Sequence, residues 1–287
     1  MQFNRYFGSG NSLLSATLFA FTINDTYDIR NNENARENFS TSTLLPQLRL
    51  SYSLNDQWTL ISNVSQHKRT PSFFELFGSQ GLFEGNASLQ TETSNNFDIG
   101  LRWQSHLSNG IDASVEFAGF YNRRQNLITR VYNARGIGRS ENLAKASVGG
   151  VEFNPQIAFT NGIALKANLT LQDSENLSPI SGFTGKQLPG ESRLDGSVKA
   201  NWTKDKWKLE YEYRFNSDRF YDSANLLPAA NQRIHNISVQ RSWKDWRLDV
   251  ELNNLTDHNY EDFNGYAKPG RAAFISVFYQ PKPEPSR

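Results

Sequence analysis

The sequence predicts an all-β chain, an antiparallel meander of the transmembrane β-barrel class, and three observations carry that reading. All six tryptophans sit beside a short polar turn. Apolar and polar residues alternate with a period of two over stretches longer than a soluble strand. Short and long connections alternate along the chain. Indole rings gather where hydrocarbon meets headgroups, so a barrel crossing a bilayer carries an aromatic girdle at its rims, whereas a soluble β-protein scatters Trp through its core. Trp confined to one class of turn marks one membrane face.

The girdle residues come first. Trp58 follows Leu54-Asn-Asp-Gln, Trp103 precedes Ser-His-Leu-Ser-Asn-Gly, Trp202 and Trp207 bracket Thr-Lys-Asp-Lys, and Trp243 and Trp246 bracket Lys-Asp. The strands between them show the alternation. Residues 207, 209, 211, 213 and 215 are Trp, Leu, Tyr, Tyr and Phe, while Lys208, Glu210, Glu212 and Arg214 lie between. Residues 163 to 171 in steps of two give Ile, Leu, Ala, Leu, Leu against Ala164, Lys166, Asn168 and Thr170. Trp246, Leu248, Val250 and Leu252 alternate with Arg247, Asp249 and Glu251 in the same way. So do the segments at 97–103, 111–117 and 194–202. Successive side chains in a strand point to opposite faces, so one face is apolar and the other charged. Segments of about ten to thirteen residues suit a tilted membrane strand.

The connections follow. Short turns fall near 8–11, 55–57, 105–110, 160–162, 203–206 and 244–245. Long polar connections fall near 24–41, 68–94, 123–146, 173–190, 217–231 and 257–270. Short periplasmic turns and long outer loops are the outer-membrane pattern, so the Trp girdle lies at the periplasmic rim. Leu127 to Tyr132 keeps β character, so that strand continues above the membrane. The count is about thirteen strands, including one at 1–8, within a range of about 12–14. Closed bacterial barrels have an even number, so either the count is off by one or the chain belongs to a larger barrel. Pro46 and Pro155 fall inside strands, where each should mark a bulge or an unpaired edge.

Composition sets the outer bounds. Lys+Arg 30 against Asp+Glu 29 leaves no field to attract nucleic acid. A mean hydropathy of -0.62 suits a barrel, in which only alternate strand residues meet lipid. The apolar stretch Leu13–Ile23 is broken by Ser and Thr and is shorter than the roughly 20 residues of a spanning helix. The residues after Met1 lack the apolar core of a signal peptide. Absence of cysteine excludes a disulfide scaffold and suits export through an oxidising periplasm.

Four motifs refine the reading. They are His67-Lys-Arg-Thr-Pro-Ser-Phe-Phe-Glu-Leu-Phe-Gly78, Gly85-Asn-Ala-Ser-Leu-Gln-Thr-Glu92 with its continuation to Arg102, Glu141-Asn-Leu-Ala-Lys-Ala-Ser-Val-Gly-Gly-Val-Glu152, and Leu252-Asn-Asn-Leu-Thr-Asp-His-Asn-Tyr260 followed by Gly265-Tyr266 and Pro269-Gly270-Arg271. In order and spacing, over residues 67–280, they resemble the "FRAPSxxELYG", "GNPxLKPExSxxYExGL", "xNxGKAxxxGVE" and "NLxDxxYxxxxGYxxPGR" segments of TonB-dependent outer-membrane receptors. The resemblance implies that residues 1–280 are the C-terminal half, or slightly more, of a receptor barrel of about 22 strands, and that 281–287 form a Pro-rich tail. It implies the outer membrane of a Gram-negative bacterium, with its lipid as a partner. No segment resembles the N-terminal plug, the energy-coupling box or the first strands, and the TonB complex would be engaged only through that plug. The sequence departs from the pattern at Ala87 and Thr91, where the family has Pro, and at Pro281, where the family ends on an aromatic residue.

Physical roles stand beside the resemblance. Arg69-Thr-Pro71 sits where a strand leaves the membrane, and Pro stops the ladder there. Pro269-Gly270 before Arg271 is turn chemistry. Gly149-Gly150 marks a close approach, and Asn254 and Asp257 can bond nearby backbone. Glu75, Glu92, Asn142, Glu152 and Tyr260 complete the set of motif residues read as structural. Glu116, Glu152, Glu210 and Glu212 interleave with Arg102, Lys166, Lys199 and Arg214 as a hydrated wall of paired charges.

The loops carry any specificity. Phe73, Phe74, Phe77, Phe83, Arg130, Tyr132, Arg135 and Arg139 offer aromatic and guanidinium groups above the barrel, a mixture that suits an anionic chelate. By resemblance such loops capture siderophore, haem or cobalamin complexes. Enzyme chemistry and a resident cofactor gain no support: the four histidines lack metal-ligand spacing, and no nucleophile elbow is present. A rim phospholipase would need His67 or His235 beside a serine. Two function classes remain, an uptake receptor of which this is a part, and a self-contained pore or adhesin of about 12 or 14 strands. A non-functional remnant is the third outcome.

Overall fold

The computed structural model describes residues 2–7, 13–30, 36–79, 83–107, 110–132 and 137–281, with side chains described for 15–19, 44–79, 83–107, 110–131, 137–142, 145–262 and 264–281. The elements in chain order are β1 (Gln2–Phe7), β2 (Leu13–Arg30), β3 (Arg36–Ser53), β4 (Trp58–Arg69), α1 (Phe73–Phe77), β5 (Gly78–Ser79), β6 (Phe83–Glu84), β7 (Glu92–Leu107), β8 (Ile111–Tyr132), β9 (Gly138–Ala158), β10 (Ile163–Asn176), β11 (Leu194–Lys204), β12 (Trp207–Ser217), β13 (Gln232–Trp243), β14 (Trp246–Asn253), β15 (Glu261–Phe263), β16 (Tyr266–Ala267) and β17 (Ala272–Tyr279). The principal sheet follows the order β1-β2-β3-β4-β7-β8-β9-β10-β11-β12-β13-β14-β17. That path is the expected meander. Its one parallel pairing among the described residues is the short contact of β6 with β9. The contacts form two compact units, residues 1–101, 119–149 and 174–186 in one, and 102–118, 150–173 and 187–287 in the other.

In the first unit β2 and β3 stay in register from Leu13↔Ser53 to Arg30↔Arg36. The connection expected at 24–41 is therefore mostly strand. Thr22, Thr26, Tyr27, Ile29, Phe39, Thr41 and Thr43 explain the difference, because β-branched and aromatic residues hold a ladder whether or not lipid faces them. The connection at 123–146 is corrected in the same way, since β8 runs to Tyr132 and β9 begins at Gly138. Pro46 pairs with Ala20 without a bulge. The β3–β4 register ends at Gln47↔Ser65, so the missing donor of Pro46 falls one residue beyond that ladder.

In the second unit five ladders join β10, β11, β12, β13, β14 and β17. Their registers align one apolar row, Trp202, Leu209, Val239, Val250 and Ile275. A row three positions away, on the other face, contains Lys199, Glu212 and Asn236. Lys199 Nζ lies 3.0 Å from Glu212, whose second contact is Asn236 Nδ2 at 3.1 Å. Arg102 and Glu116 pair at 2.6 Å. Charge is thus matched on the polar face, while Leu209, Leu248 and Val277 are exposed on the other. A fully buried side chain of this kind is worth about 1.5–3 kcal/mol, so a row of them left in water would be a heavy liability.

Tryptophan follows the turn rule. Trp58, Trp207 and Trp246 open β4, β12 and β14, and Trp243 closes β13. Trp103 and Trp202 lie near the ends of β7 and β11 that lead into short turns. One test follows from the alternation. Cysteines introduced singly at Leu209 and Lys208 should react oppositely with a lipid-phase and an aqueous thiol reagent in proteoliposomes. Equal labelling of the two positions would end the membrane reading of this sheet.

Candidate functional site

The loop end of the first unit is built around Arg69. Pro71 offers no N–H to continue the ladder of β4, and Ser72 turns the chain into α1 as its N-cap. The Ser72 hydroxyl accepts the Glu75 N–H at 3.3 Å, and the Glu75 carboxylate accepts the Ser72 N–H at 2.7 Å, a capping box. The same carboxylate takes Arg69 Nη1 at 3.0 Å, and Arg69 Nε donates to Glu92. The other oxygen of Glu92 accepts the N–H of Ile128 at 3.1 Å. One guanidinium therefore joins the end of β4 to α1 and β7, and Glu92 extends the link to β8.

The electrostatics follow from this clasp. Partial burial works to raise the Glu75 carboxyl, but Arg69 and the Ser72 N–H and hydroxyl outweigh it and hold the group below its ordinary value of 4.5. Partial burial likewise works to lower Arg69, and its bonds to Glu75 and Glu92 raise it instead.

Two asparagines fix the neighbouring backbone. Asn86, only 4% exposed, donates to the Ser140 carbonyl at 2.8 Å and accepts the Ser88 N–H at 3.1 Å. Asn142 accepts the Gln90 N–H at 2.8 Å and donates to the carbonyls of Gln90 and Asn126 at 3.1 and 2.6 Å. The close approach of these segments excludes side chains at Gly85, where a Cβ would stand 2.4 Å from the Phe77 carbonyl carbon. Beside them Phe74 stacks on Phe83 with ring centroids 4.5 Å apart, and the Arg130 guanidinium lies 5.5 Å from each. Phe73 and Phe77 pair at 4.5 Å, and Arg139 is tied to Glu141 at 3.2 Å. Of the loop residues read from sequence, the fold unites Phe74, Phe83 and Arg130. Phe83, 7% exposed, packs inside, whereas Phe73, 74% exposed, projects outward. Arg135 and the side chain of Tyr132 lie outside the described residues.

The second unit holds a polar cavity of about 790 Å³ on the charged face, lined by Glu212, Arg214, Asn236, Asn254, Tyr260 and Lys268 among others. Asn254 sits at φ 51° and exchanges two hydrogen bonds with His258, donating to its carbonyl and accepting its N–H. Its own N–H donates to Asn236, which carries the Lys199–Glu212 rung into the cavity wall. Asp257 accepts the N–H of Arg271 at 2.7 Å. A Cβ on Gly270 would stand 2.5 Å from that carboxylate oxygen, which is why glycine follows Pro269. The Asp257 carboxylate thus bonds the far end of the loop, while its N–H closes its own turn on the Asn254 carbonyl at 2.8 Å. Gly150 allows β9 to approach β10, since a Cβ there would meet the Leu171 carbonyl at 2.5 Å. Glu152 stays half-buried on β9.

Several residues had escaped the sequence reading. The helix was signalled by the Ser72-x-x-Glu75 box. Asn86 and the cavity residues Asn236, Asp262 and Lys268 left no local pattern to read. Among the described residues no cluster of three or more metal-ligating side chains occurs. His67 Nε2 lies 3.0 Å from the Ser65 hydroxyl, but Ser65 is buried and no carboxylate orients the ring among the described residues. His235 bonds the Tyr211 hydroxyl and stacks on Tyr213. Neither forms a catalytic triad.

The family model described as "TonB dependent receptor-like, beta-barrel" matches residues 14–255. The chain belongs to that family. Relatives of this receptor barrel include the heme/hemopexin utilization protein C of Haemophilus influenzae strain 86-028NP, 22% identical over 297 residues, a match covering 88% of this chain and 40% of the relative. Among solved structures, the copper transporter OprC matches at a TM-score of 0.73 and 16% identity, over 96% of this chain and 45% of its own. The siderophore receptor PiuA from Acinetobacter baumannii matches at 0.69 and 16% identity, over 93% and 40%. The chain spans less than half the length of these relatives. They are named as transporters, receptors and utilization proteins rather than enzymes.

Two outcomes test the clasp. Asn142→Ala removes three hydrogen bonds to backbone groups and should lower protection of the Gln90 amide, whose N–H it accepts, by about 1–3 kcal/mol in hydrogen exchange. Unchanged protection would show that the loop is held elsewhere. Because Glu75 is depressed, its contribution is full above 4.5 and is lost as pH falls through the lowered value. Proteolysis within 70–92 should therefore quicken on acidification, and Glu75→Gln should be susceptible at neutral pH with that acid step removed. An acid step that persists in the variant would exclude Glu75 as its source.

Proposed function

We propose that this chain forms a C-terminal part of an outer-membrane uptake receptor, and that its loop ends take a metal chelate. The observation that carries the reading is the family match over residues 14–255, in a chain whose apolar face is exposed and whose polar face is ion-paired. The ladder of β1 runs to β2 and that of β17 to β14, each with one strand partner among the described residues. Free edges in hydrocarbon leave peptide groups unpaired at several kcal/mol each, so the reading includes further strands of the receptor as partners. Energy coupling through the TonB complex would come with the plug of the complete receptor.

The ligand class follows from chemistry. Arg130 beside Phe74 presents cationic and aromatic surface at the loop end of the first unit. Taken by itself, the cavity of the second unit contains Arg214 and Lys268, the latter held by Asp262 at 2.5 Å. An anionic, partly aromatic metal complex such as a ferric siderophore or haem fits that surface better than a neutral sugar. The names of the relatives, which concern copper, siderophore and haem, agree with it.

The test is binding by the chain joined to the preceding part of its receptor, with ferric citrate, a ferric catecholate and haem as probes. One of these should quench tryptophan fluorescence saturably, and Arg130→Gln should weaken its binding about tenfold, as expected for loss of one charge-assisted contact. Saturable binding of none of them, or equal binding by the variant, would refute the chelate reading of these loops.

A further inference from the structure

The apolar face of the second unit carries Arg241 within its aromatic girdle, with Lys204 and Arg233 at other strand ends of the same face. In β13 this face contains Arg233, His235, Ile237, Val239, Arg241 and Trp243, of which Arg241 lies next to the short turn. Register places Arg241 beside Trp207 of β12 on one side and Leu248 of β14 on the other. The neighbouring rung is Trp243↔Trp246, and its next strand neighbour is Tyr279. A guanidinium thus lies inside the aromatic girdle, on the face that the proposed function gives to lipid.

Its surroundings are organised rather than incidental. The Arg241 Cζ lies over the Trp207 ring, 4.3 Å from its centroid. A guanidinium held over a ring keeps N–H donors available for a planar acceptor. No carboxylate pairs with Arg241 among the described residues, in contrast to Arg102 and Lys199 on the opposite face. Beneath it Arg241, Trp243, Trp246 and Leu248 line an open recess of about 330 Å³. The recess offers apolar walls for an acyl chain and one unsatisfied cation at the level of the short turns.

We propose that this recess is a specific site for a glycerophospholipid, with the phosphodiester held by the Arg241 fork and the acyl chain laid along Leu248 and Val239. The chemistry selects phosphate. A bare cation at a membrane rim attracts anionic groups, a fork of N–H donors matches two phosphate oxygens, and the Trp207 face keeps the fork from turning back to water. Short turns mark the periplasmic rim, where phospholipid headgroups of the inner leaflet lie. The lipid would seal the girdle between β12 and β14 and fix the height of the sheet in the bilayer.

The site rests on the membrane reading, and the experiment separates the two. The full chain is embedded in nanodiscs, extracted in mild detergent, and examined by native mass spectrometry for retained phosphatidylglycerol. Wild-type chain should retain one lipid, and Arg241→Gln should retain it about tenfold less, while Arg241→Lys is intermediate. Lys208→Gln, on the opposite face, should change nothing. Equal retention by wild type and Arg241→Gln, equal retention of a phosphate-free diacylglycerol, or displacement of the lipid by inorganic phosphate alone would overturn the site. Embedding is scored separately by the labelling of cysteines at Leu209 and Lys208. Opposite labelling with equal retention discards only the lipid site, whereas equal labelling of the two positions discards the membrane reading and the site with it.

Discussion

A peptide group without a partner is intolerable in hydrocarbon, and that constraint governs the rest of this chain. Each buried N–H or C=O left unsatisfied costs several kcal/mol, so a strand crossing lipid must be hydrogen-bonded on both sides along its length. The strands β11 to β14 meet the requirement with a ladder on each side, and β17 continues the sheet from β14. Once backbone pairing is fixed, side chains have no freedom of face. Lys199, Glu212 and Asn236 must share one surface and Trp202, Leu209 and Val239 the other. The wall of paired charge and the aromatic girdle are two results of one register.

Where the ladder ends, the same demand is met by side chains. Pro71 and Pro269 leave the sheet without donors of their own. In the described loops, Glu92 receives the amide of Ile128, Asn86 reaches the carbonyl of Ser140, Asn142 holds Gln90 and Asn126, and Asp257 receives Arg271. Each bond satisfies a backbone group with a side chain. The motif residues Glu92, Asn142 and Asp257 thus tie chain segments far apart in sequence, near the pair formed by Arg130 and Phe74 in the first unit and at the Arg271 turn in the second.

What could be read from sequence follows from the range of each interaction. Strand identity from 207 to 215 and the placement of all six tryptophans depend on neighbours a few positions away, and both were legible. The ends of β2, β3, β8 and β9 were not, because polarity reports the solvent beside a strand and not the presence of a ladder. The site was legible in part. Its motif residues could be named, yet the union of Asn142 with Gln90, or of Arg69 with Glu92, joins segments whose spacing has no period. Arg241 belongs to none of the sequence motifs, and its register beside Trp207 and Leu248 shows which surface it occupies.

The short parallel pairing of β6 with β9 has a consequence for how such loops can diverge. Phe83 and Glu84 run parallel to Gly138 and Arg139, and of the first two it is the phenylalanine that is inside. Side chains change face with every residue, so a slip of one position here exchanges the buried ring for a carboxylate. Chain length in either segment is thus a chemical variable in its own right. A single inserted residue can replace aromatic packing by negative charge beside Arg130 while every amino acid already present stays the same.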